Sequence, residues 1–296
     1  MNSTYIYETY RWIDENKLDW SIVNENPCSI SFLEKNIERI NWHYLSLNPN
    51  AMHLLENNVN KINWTNLSRN PSAIPFLKKR HDDIIWWTLS SNPEAIDLLK
   101  GKESNIYWSD LSLNPCAITL LEKNPYKISW FNLSKNPKAF KLLEKNQRKI
   151  CWDYFSSCSE SPEAIRFLEK NMHRVDWSYL SLNPNAIHLL EQNPDKIDWC
   201  KLSANPNAIH LLEKNLHKVN WSNLSGNPNA MHILEKHQDK INWKELSRNH
   251  SLFKKTLNYS FLKLHMDVIR EELIMKCMHP NRLERWIEKG GDIDDF

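Results

Sequence analysis

The chain has very little glycine, with four residues in 296, and none of them belongs to a glycine-rich phosphate loop. No apolar run approaches the roughly 20 residues that a membrane-spanning helix needs, and the N-terminus lacks the apolar stretch of a secretory signal. Neither sign of charge dominates, with 38 basic and 36 acidic residues, so bulk attraction to nucleic acid or to an anionic membrane is not expected. These absences predict a soluble, intracellular protein.

Motifs for chemistry are also missing. The six cysteines form no CxxC pair and no zinc-finger spacing with histidine, so we interpret them as reduced thiols. HExxH and GxSxG motifs do not occur. An active site needs a local, asymmetric cluster of reactive groups, and no such cluster stands apart from the pattern described next. The sequence therefore predicts a protein that is not an enzyme and needs no cofactor or metal.

Tryptophan instead recurs every 22 residues, except for one step of 25. This period predicts an array of repeat units, each burying its apolar face against the next. We number the units 1 to 11 and count positions from each tryptophan. The tryptophans are Trp20, Trp42, Trp64, Trp86, Trp108, Trp130, Trp152, Trp177, Trp199, Trp221 and Trp243.

The unit reads W-x-x-L-S-x-N-P-x-A-I-x-L-L-E-K-N-x-x-K-I-x, most clearly over residues 199–220. Asn-Pro at positions 7 and 8 is a helix start signal, and Ser161-Pro162 in unit 7 keeps the same capping chemistry. We predict a helix of nine or ten residues ending near position 17, where Asn tolerates a left-handed backbone. A shorter helix would start at position 22, with its tryptophan buried between units.

The expected fold class is all-α, a solenoid of about ten helix-pair repeats, with a length on the order of 100 Å. A leucine-rich-repeat horseshoe is the competing fold, because its period and fixed Asn overlap this pattern. Residues 1–19, including Trp12 and Ile13, are predicted to form an N-terminal cap, and residues 20–250 the solenoid. Residues 251–296 are predicted to form a C-terminal helical cap or docking module, with one helix at 260–277 and another after His279-Pro280.

Three polar columns follow the repeat. Position 15 is usually Glu and position 20 usually Lys or Arg, and we interpret the two as compensating, solvated stripes. His188, His210 and His232 share position 12, at a spacing of about 10 Å that no single metal ion can bridge. The histidines are then either exposed polar residues or a stripe that contacts a partner or responds to pH.

Departures from the repeat are candidates for partner binding. Three extra residues lie within residues 156–161 of unit 7, and insertions in solenoids often map to a binding face. Units 3 and 4 lose the Glu-Lys-Asn signature. Aromatic residues at positions 2 and 3 are of the type enriched at protein–protein hot spots. The candidate partner-binding residues are Tyr44, Trp87, Phe131, Tyr154, Tyr179, Arg80 and His81.

The unit, as in DKIDWCKLSANPNAIHLLEKN, resembles a repeat abundant in mimivirus-type giant DNA viruses, and the ending HPNRLERWIEKGGDIDDF is similar to tails of such proteins. The resemblance implies a viral protein in the host cytoplasm of the infected cell or in the virion, with no catalytic residues to transfer. We expect a non-enzymatic scaffold or adaptor that binds an unidentified viral or host protein. The alternatives are a structural component of the virion or virus factory, a ubiquitin-ligase substrate adaptor, or a nucleic-acid-binding solenoid, the last not favoured by the balanced charge.

Overall fold

The structure, a computed structural model, describes residues 5–277 together with 279, 282 and 286. It divides into two bodies. The repeat body spans Thr9–Phe253, and the terminal body joins the residues before Thr9 to those after Phe253. Every unit tryptophan and every predicted partner-binding residue lies in the repeat body.

Each unit opens with a short α-helix that begins at its tryptophan, as predicted. The side chain at position 22 caps most of these helices: Asp19, for example, accepts hydrogen bonds from two backbone amides of the first. Because this helix stands where a horseshoe requires a strand, the leucine-rich-repeat alternative is wrong. The Trp helices are Trp20–Val23, Trp42–Leu45, Trp64–Arg69, Trp86–Leu89, Trp108–Leu111, Trp130–Leu133, Trp152–Cys158, Trp177–Leu180, Trp199–Leu202, Trp221–Ser225 and Trp243–Arg248.

The second helix is shorter than predicted in all units but unit 7. Residues from the proline to position 10 form a 3₁₀ segment or turn, and the α-helix starts at position 11. The Asn48 side chain accepts a hydrogen bond from the backbone amide of Asn50, two residues on. The Ser161 side chain accepts one from the amide of Ala164, three residues on. A cap on the third amide suits an α-helical first turn. The second helices are Ile30–Glu34, Met52–Glu56, Ile74–Leu77, Ile96–Leu99, Ile118–Glu122, Phe140–Glu144, Pro162–Lys170, Ile187–Gln192, Ile209–Lys214 and Met231–Lys236.

The asparagine at position 17 ends this helix without a left-handed backbone. No described non-glycine residue has a positive φ, and Asn36 has a φ of −131°. Its side-chain amide instead donates to the carbonyl of Phe32, at 2.8 Å. The left-handed prediction was therefore wrong. A 3₁₀ turn, also not predicted, follows in most units: Ile37–Arg39, Val59–Lys61, His81–Asp83, Glu103–Asn105, Pro125–Lys127, Gln147–Lys149, Pro194–Lys196, Leu216–Lys218 and Gln238–Lys240.

Leucine at position 4, alanine at position 10 and leucine at position 14 form the deepest layer of the repeat body. In unit 5 these residues are Leu111, Ala117 and Leu121, each with no exposed surface. Burial of one leucine side chain contributes about 1.5–3 kcal/mol. Helices of four to nine residues are not stable alone in water, so this layer stabilises them.

The tryptophans flank this layer instead of forming it. Trp108 is half-buried against the core, and the Lys127 ammonium lies 4.5 Å from its ring centroid. The indoles are therefore only partly buried, and are not the buried residues between units that the sequence predicts. The position-20 cations are exposed, as expected for a solvated stripe, and each also covers the tryptophan of its own unit: Arg39, Lys61, Lys127, Lys149, Arg174, Lys196, Lys218 and Lys240.

The asparagine at position 7 links consecutive units. The side-chain amide of Asn70 donates to the carbonyls of Ser46 and Asn48 in the preceding unit, at 3.1 and 2.9 Å. Its oxygen accepts from the amide of Ser72 in its own unit. One buried side chain thus caps its own segment and bonds to the neighbouring unit. We call these residues the asparagine spine: Asn26, Asn48, Asn70, Asn92, Asn114, Asn136, Asn183, Asn205, Asn227 and Asn249.

The repeat body closes on itself, because unit 11 contacts unit 1 as any unit contacts the next. The amide of Asn26 in unit 1 donates to the carbonyl of Asn249 in unit 11, at 3.1 Å. The backbone N–H of Asp19 donates to Ser247 Oγ at 2.8 Å, as the N–H of Asn242 does to Ser225 Oγ at 3.0 Å. The expectation of an open array about 100 Å long was therefore wrong for this body.

Unit 11 is assembled from both ends of the repeat body. Its Trp helix and the 3₁₀ turn His250–Leu252 come from the C-terminal side. The turn at positions 18–20 is Glu15–Lys17 from the N-terminal side. Lys17 takes the place of the position-20 cation, with its ammonium 5.2 Å from the Trp243 ring centroid. Segments from both ends of the sequence thus make the Trp helix and the two 3₁₀ turns of unit 11, while strand Phe253–Leu257 stands where other units have the second helix.

The terminal body contains a two-stranded sheet and one long helix. Strand Tyr5–Thr9 pairs with strand Phe253–Leu257. The helix Tyr259–Cys277 confirms the predicted helix at 260–277, whereas the helix predicted after His279-Pro280 lies mostly outside the described residues. No helix in the described part of the chain is long and apolar enough to cross a membrane.

Candidate functional site

Three of the predicted residues come together in one row. The ring centroids of Phe131 and Tyr154 are 5.1 Å apart, and those of Tyr154 and Tyr179 are 5.4 Å apart. Both contacts are edge to face, the arrangement that aromatic quadrupoles favour. The rings come from the Trp helices of units 6, 7 and 8, which the repeat places side by side. We call Phe131, Tyr154 and Tyr179 the aromatic row.

Two lysines that sequence reasoning missed complete the row. The Lys135 ammonium lies 4.2 Å from the Phe131 centroid and 4.1 Å from the Tyr154 centroid. The Lys201 ammonium lies 3.5 Å from the Tyr179 centroid. The neighbouring Tyr154 phenol, through its charge and a hydrogen bond, raises the pKa of the Tyr179 hydroxyl. The row therefore presents both aromatic and cationic groups, with Phe131 half exposed.

Tyr44 and Trp87 are not part of the row. The Tyr44 ring contacts His43, with centroids 5.0 Å apart. Trp87 is exposed over 41% of its surface, and the Arg69 guanidinium lies 5.3 Å from its ring centroid. No ring contact in the described part of the chain joins either residue to the row.

Arg80 and His81 have positions set by unit 3 itself. The Arg80 guanidinium lies 5.5 Å from the Trp64 centroid and pairs with Asp83 at 3.1 Å. It therefore covers the tryptophan of its unit, as the position-20 cations do elsewhere. His81 begins the 3₁₀ turn His81–Asp83.

A cleft of about 720 Å³ separates the second helices of units 6 and 7. We call it the insertion cleft, because the three-residue insertion of unit 7 stands at its rim. Phe140 and Phe167, both nearly buried, line it from opposite sides. Charged groups of both signs surround these rings. The lining residues are Pro137, Lys138, Phe140, Lys141, Glu144, Glu160, Ser161, Glu163, Arg166, Phe167 and Lys170.

A smaller cleft of about 500 Å³ connects the insertion cleft to the aromatic row. It shares Pro137 and Glu160 with the insertion cleft. It shares Lys135 with the row, and Cys158 of the insertion also lines it. The row and the two clefts thus form one continuous surface on units 6 to 8, which we call the insertion surface.

The insertion cleft exists because the asparagine spine is interrupted there. Ser161 replaces the spine asparagine, and its hydroxyl caps its own helix at Ala164 with a 3.1 Å hydrogen bond. Serine has no amide to reach unit 6, so among the described residues no side-chain amide donates to the carbonyls of Ser134 and Asn136. Every other boundary between units has at least one such bond.

An aromatic cluster supports the floor of the insertion cleft. Phe167 packs on Trp152 and Phe140, each with a centroid separation of 5.7 Å, and on Phe155 at 6.0 Å. Phe155 stands at position 4, where every other unit except unit 1, which has Val23, has leucine. Aromatic pairs of this kind contribute about 0.5–1.5 kcal/mol each beyond their buried area. These rings hold units 6 and 7 together where the spine does not.

At several other boundaries, a histidine and a glutamate bridge the second helices. His188, His210 and His232 place Nε2 within 2.8–3.0 Å of a glutamate oxygen of the preceding unit. The histidine column is thus an inter-unit contact on the glutamate column. At the insertion cleft the equivalent residues, Arg166 and Glu144, both line the cleft and form no ion pair with each other.

The described residues contain no group of three or more His, Cys, Asp or Glu side chains able to hold a metal ion. The described cysteine side chains are free thiols at Cys28, Cys116, Cys151, Cys158 and Cys200. Comparison with protein families, curated proteins and solved structures gave no match. The insertion surface is therefore assessed on its geometry alone.

Proposed function

We propose that this chain is a non-enzymatic scaffold or adaptor that binds a protein partner through the insertion surface. The aromatic row carries the proposal. Phe131, Tyr154 and Tyr179 form a preformed row of rings, and Lys135, which contacts two of them, lines the smaller cleft. Large, rigid aromatic side chains next to pockets are the typical anchors of protein interfaces.

The lysines of the row add specificity. Lys135 and Lys201 lie against ring faces, so their ammonium groups are held in place at little further cost in side-chain entropy. A partner that offers an apolar side chain to Phe131 and a carboxylate to either lysine would complement both features. Charge matching of this kind sets the association rate and the choice of partner more than the affinity.

Affinity purification with quantitative mass spectrometry tests the proposal. Phe131→Ser should lower recovery of the partner by about tenfold, in the range of a hot-spot residue. Serine occupies the same position at Ser109 and Ser222, so the variant should fold. Trp87→Ser is the matched control, because it removes an exposed aromatic residue from position 2 of another unit. Equal recovery with Phe131→Ser and wild type would contradict the proposal.

We propose a viral origin on the resemblance of the repeat, with the partner a viral or host protein met in the infected cell. The purification is accordingly made from infected host cells and from purified virions. A partner recovered in stoichiometric amount from either source identifies the compartment. Failure to recover any partner from both would argue against this setting.

A structural role, with assembly of several copies, is a second candidate, favoured by the helix of the terminal body. Met266, Ile269 and Leu273 are spaced by three and four residues along Tyr259–Cys277 and are each about half exposed or more. That spacing places them on one helix face, as in a helix–helix seam. Ile269→Lys should abolish concentration-dependent assembly in sedimentation experiments. Sedimentation as a monomer by the wild-type protein at all concentrations would exclude this role.

A further inference from the structure

The charges of the insertion cleft have an order that the repeat explains. Position 12 is basic in both units that form the cleft, as Lys141 in unit 6 and Arg166 in unit 7. These two cations therefore line the cleft from opposite sides. Lys138 pairs with Glu160 at 3.4 Å, and Glu144, Glu163 and Lys170 also line the cleft.

The two position-12 cations have no partner of their own. Neither Lys141 nor Arg166 forms an ion pair with a carboxylate in the described part of the chain, and neither does Lys170. At the boundary between units 9 and 10, by contrast, the corresponding His232 meets Glu213 at 2.8 Å. Like charges that line one cleft repel each other, and an anion bound between them removes the repulsion.

The floor and the length of the cleft indicate the apolar content and the length of the occupant. Phe140 and Phe167 meet with centroids 5.7 Å apart and accept an apolar side chain. The helix Pro162–Lys170 has nine residues, or roughly 13 Å at 1.5 Å per residue. An extended peptide rises about 3.3 Å per residue, so the cleft spans roughly four of its residues.

We infer that the insertion cleft binds a short extended acidic segment of the protein partner. A carboxylate lies between Lys141 and Arg166, and a neighbouring apolar or aromatic side chain packs on Phe140 and Phe167. The missing spine amide and the three-residue insertion of unit 7 open the cleft. This inference rests on the proposed function, and it adds the chemistry of the partner and the place where it enters.

One variant removes the cleft and retains the fold. Deletion of Cys158, Ser159 and Glu160 together with Ser161→Asn restores the sequence W-D-Y-F-S-S-N-P, which matches the other units. The new asparagine is placed to donate to the carbonyls of Ser134 and Asn136, as Asn114 does to those of Ser90 and Asn92. We call this the closed-cleft variant, and we expect it to melt at or above the temperature of the wild-type chain.

Fluorescence anisotropy with three labelled peptides tests the inference on the full-length chain. The peptides are Glu-Asp-Phe-Asp-Glu, the same peptide with Ser for Phe, and Lys-Lys-Phe-Lys-Lys. We expect the first to bind about tenfold more tightly than either of the others. The closed-cleft variant should lose this binding. Arg166→Glu should weaken it by about tenfold, whereas Lys214→Glu, at an exposed position of unit 9, should leave it within about twofold.

The outcomes separate this inference from the proposed function. Equal binding of the acidic aromatic peptide by the wild-type chain and by folded closed-cleft protein would overturn the inference, as would unchanged binding by Arg166→Glu. No binding of this peptide by the wild-type chain, or tighter binding of the lysine peptide, would overturn it too. The closed-cleft variant keeps Phe131, Tyr154 and Tyr179. If Phe131→Ser loses the partner and the closed-cleft variant does not, the proposed function still stands. If the closed-cleft variant fails to fold, Arg166→Glu decides.

Discussion

At the scale of single residues, the small leucines and alanines determine stability more than the conspicuous tryptophans. Leu111 has no exposed surface, whereas Trp108 is half-buried beneath Lys127. Leu111→Ala should lower the free energy of unfolding by about 3–5 kcal/mol, because it leaves a cavity in the core. Trp108→Ala should cost less, about 2 kcal/mol, since part of its ring already faces solvent and the cation. Urea denaturation of both variants gives the comparison, and a larger loss for Trp108→Ala would place the indole at the centre after all.

At Asn114, the contribution of the inter-unit hydrogen bonds of the asparagine spine can be measured separately from that of the cap. Asn114 is fully buried, donates to Ser90 and Asn92, and caps at Cys116. Serine keeps a capping oxygen, as Ser161 shows, but lacks the amide. Asn114→Ser should therefore lower the free energy of unfolding by about 1–3 kcal/mol, the usual cost of buried carbonyls left without donors. Urea denaturation measures it. A change of a few tenths of a kcal/mol would mean that the spine does not hold the units together.

Asp198 predicts a pH dependence. Partial burial acts to raise the pKa of its carboxyl, but hydrogen bonds from Ser178 and from the amide of Lys201 outweigh this effect and lower the pKa below its usual value of 3.8. A carboxyl with a lowered pKa in the folded state stabilises the protein above the unfolded pKa, and this contribution is lost as pH falls through the folded one. Asp198→Asn keeps the cap, as Asn220 does.

The Asp198→Asn variant should be less stable than the wild-type chain at neutral pH, and the difference in stability should shrink at acid pH. Below the unfolded-state pKa of about 3.9 the contribution of the ionised carboxyl shrinks, and the two proteins should converge in stability as pH falls through the lower pKa of the folded state. Thermal melting from pH 7 to pH 3 measures the difference between them. A constant difference across this range would mean that Asp198 does not titrate with a lowered pKa.

At the scale of elements, the starts of the Trp helices could be predicted from the sequence, whereas the starts of the second helices and the backbone conformation at their ends could not. Position 22 caps and the Ser161 cap depend on one side chain and the next three amides, which are local in sequence. The short second helix and the bond from Asn36 to Phe32 depend on which of several amides and carbonyls a side chain selects. Residue type alone does not determine that choice, because Asn suits a cap, a left-handed turn and a back-bonded end equally.

The candidate surface was predictable in part for a similar reason. Phe131, Tyr154 and Tyr179 stood out as aromatic departures from the repeat, and the 22-residue period places equivalent positions side by side. Lys135 and Lys201 were missed because lysine is common in this chain, and only the contact with a ring distinguishes them. Their spacing offered one signal: Lys135 follows Phe131 by four residues, which places both on one side of a helical turn.

At the scale of the repeat body, closure gives the first and last units a neighbour on both sides. In an open array the first and last units lack a neighbour, so they fray and need polar caps. In a closed body every unit has two neighbours, and the seam has the same hydrogen bonds as an internal boundary, so we expect it to be as stable as one. Leu18 and Leu252, which lie on the two sides of the seam, are buried to the same degree as the core of internal units.

A matched pair of serines tests closure. Ser247 accepts from the N–H of Asp19 across the seam at 2.8 Å, and Ser203 accepts from the N–H of Asn220 within the array at 2.9 Å. Both hydroxyls also donate to the carbonyl of their tryptophan, at 2.7 Å. Ser247→Ala and Ser203→Ala should therefore cost equal amounts, about 1–2 kcal/mol each, because each leaves a buried group without its partner.

Hydrogen exchange also tests closure, because the opening free energy of an amide at a fraying end is low and the amide exchanges quickly. In a closed body the Asp19 amide should be as protected as the Asn220 amide, and Ser247→Ala should reduce its protection. If the array is open in solution, Asp19 should exchange fast in the wild-type chain and Ser247→Ala should cost almost nothing. Because the two serines make matching hydrogen bonds, a clear difference between the variants would point to an open seam.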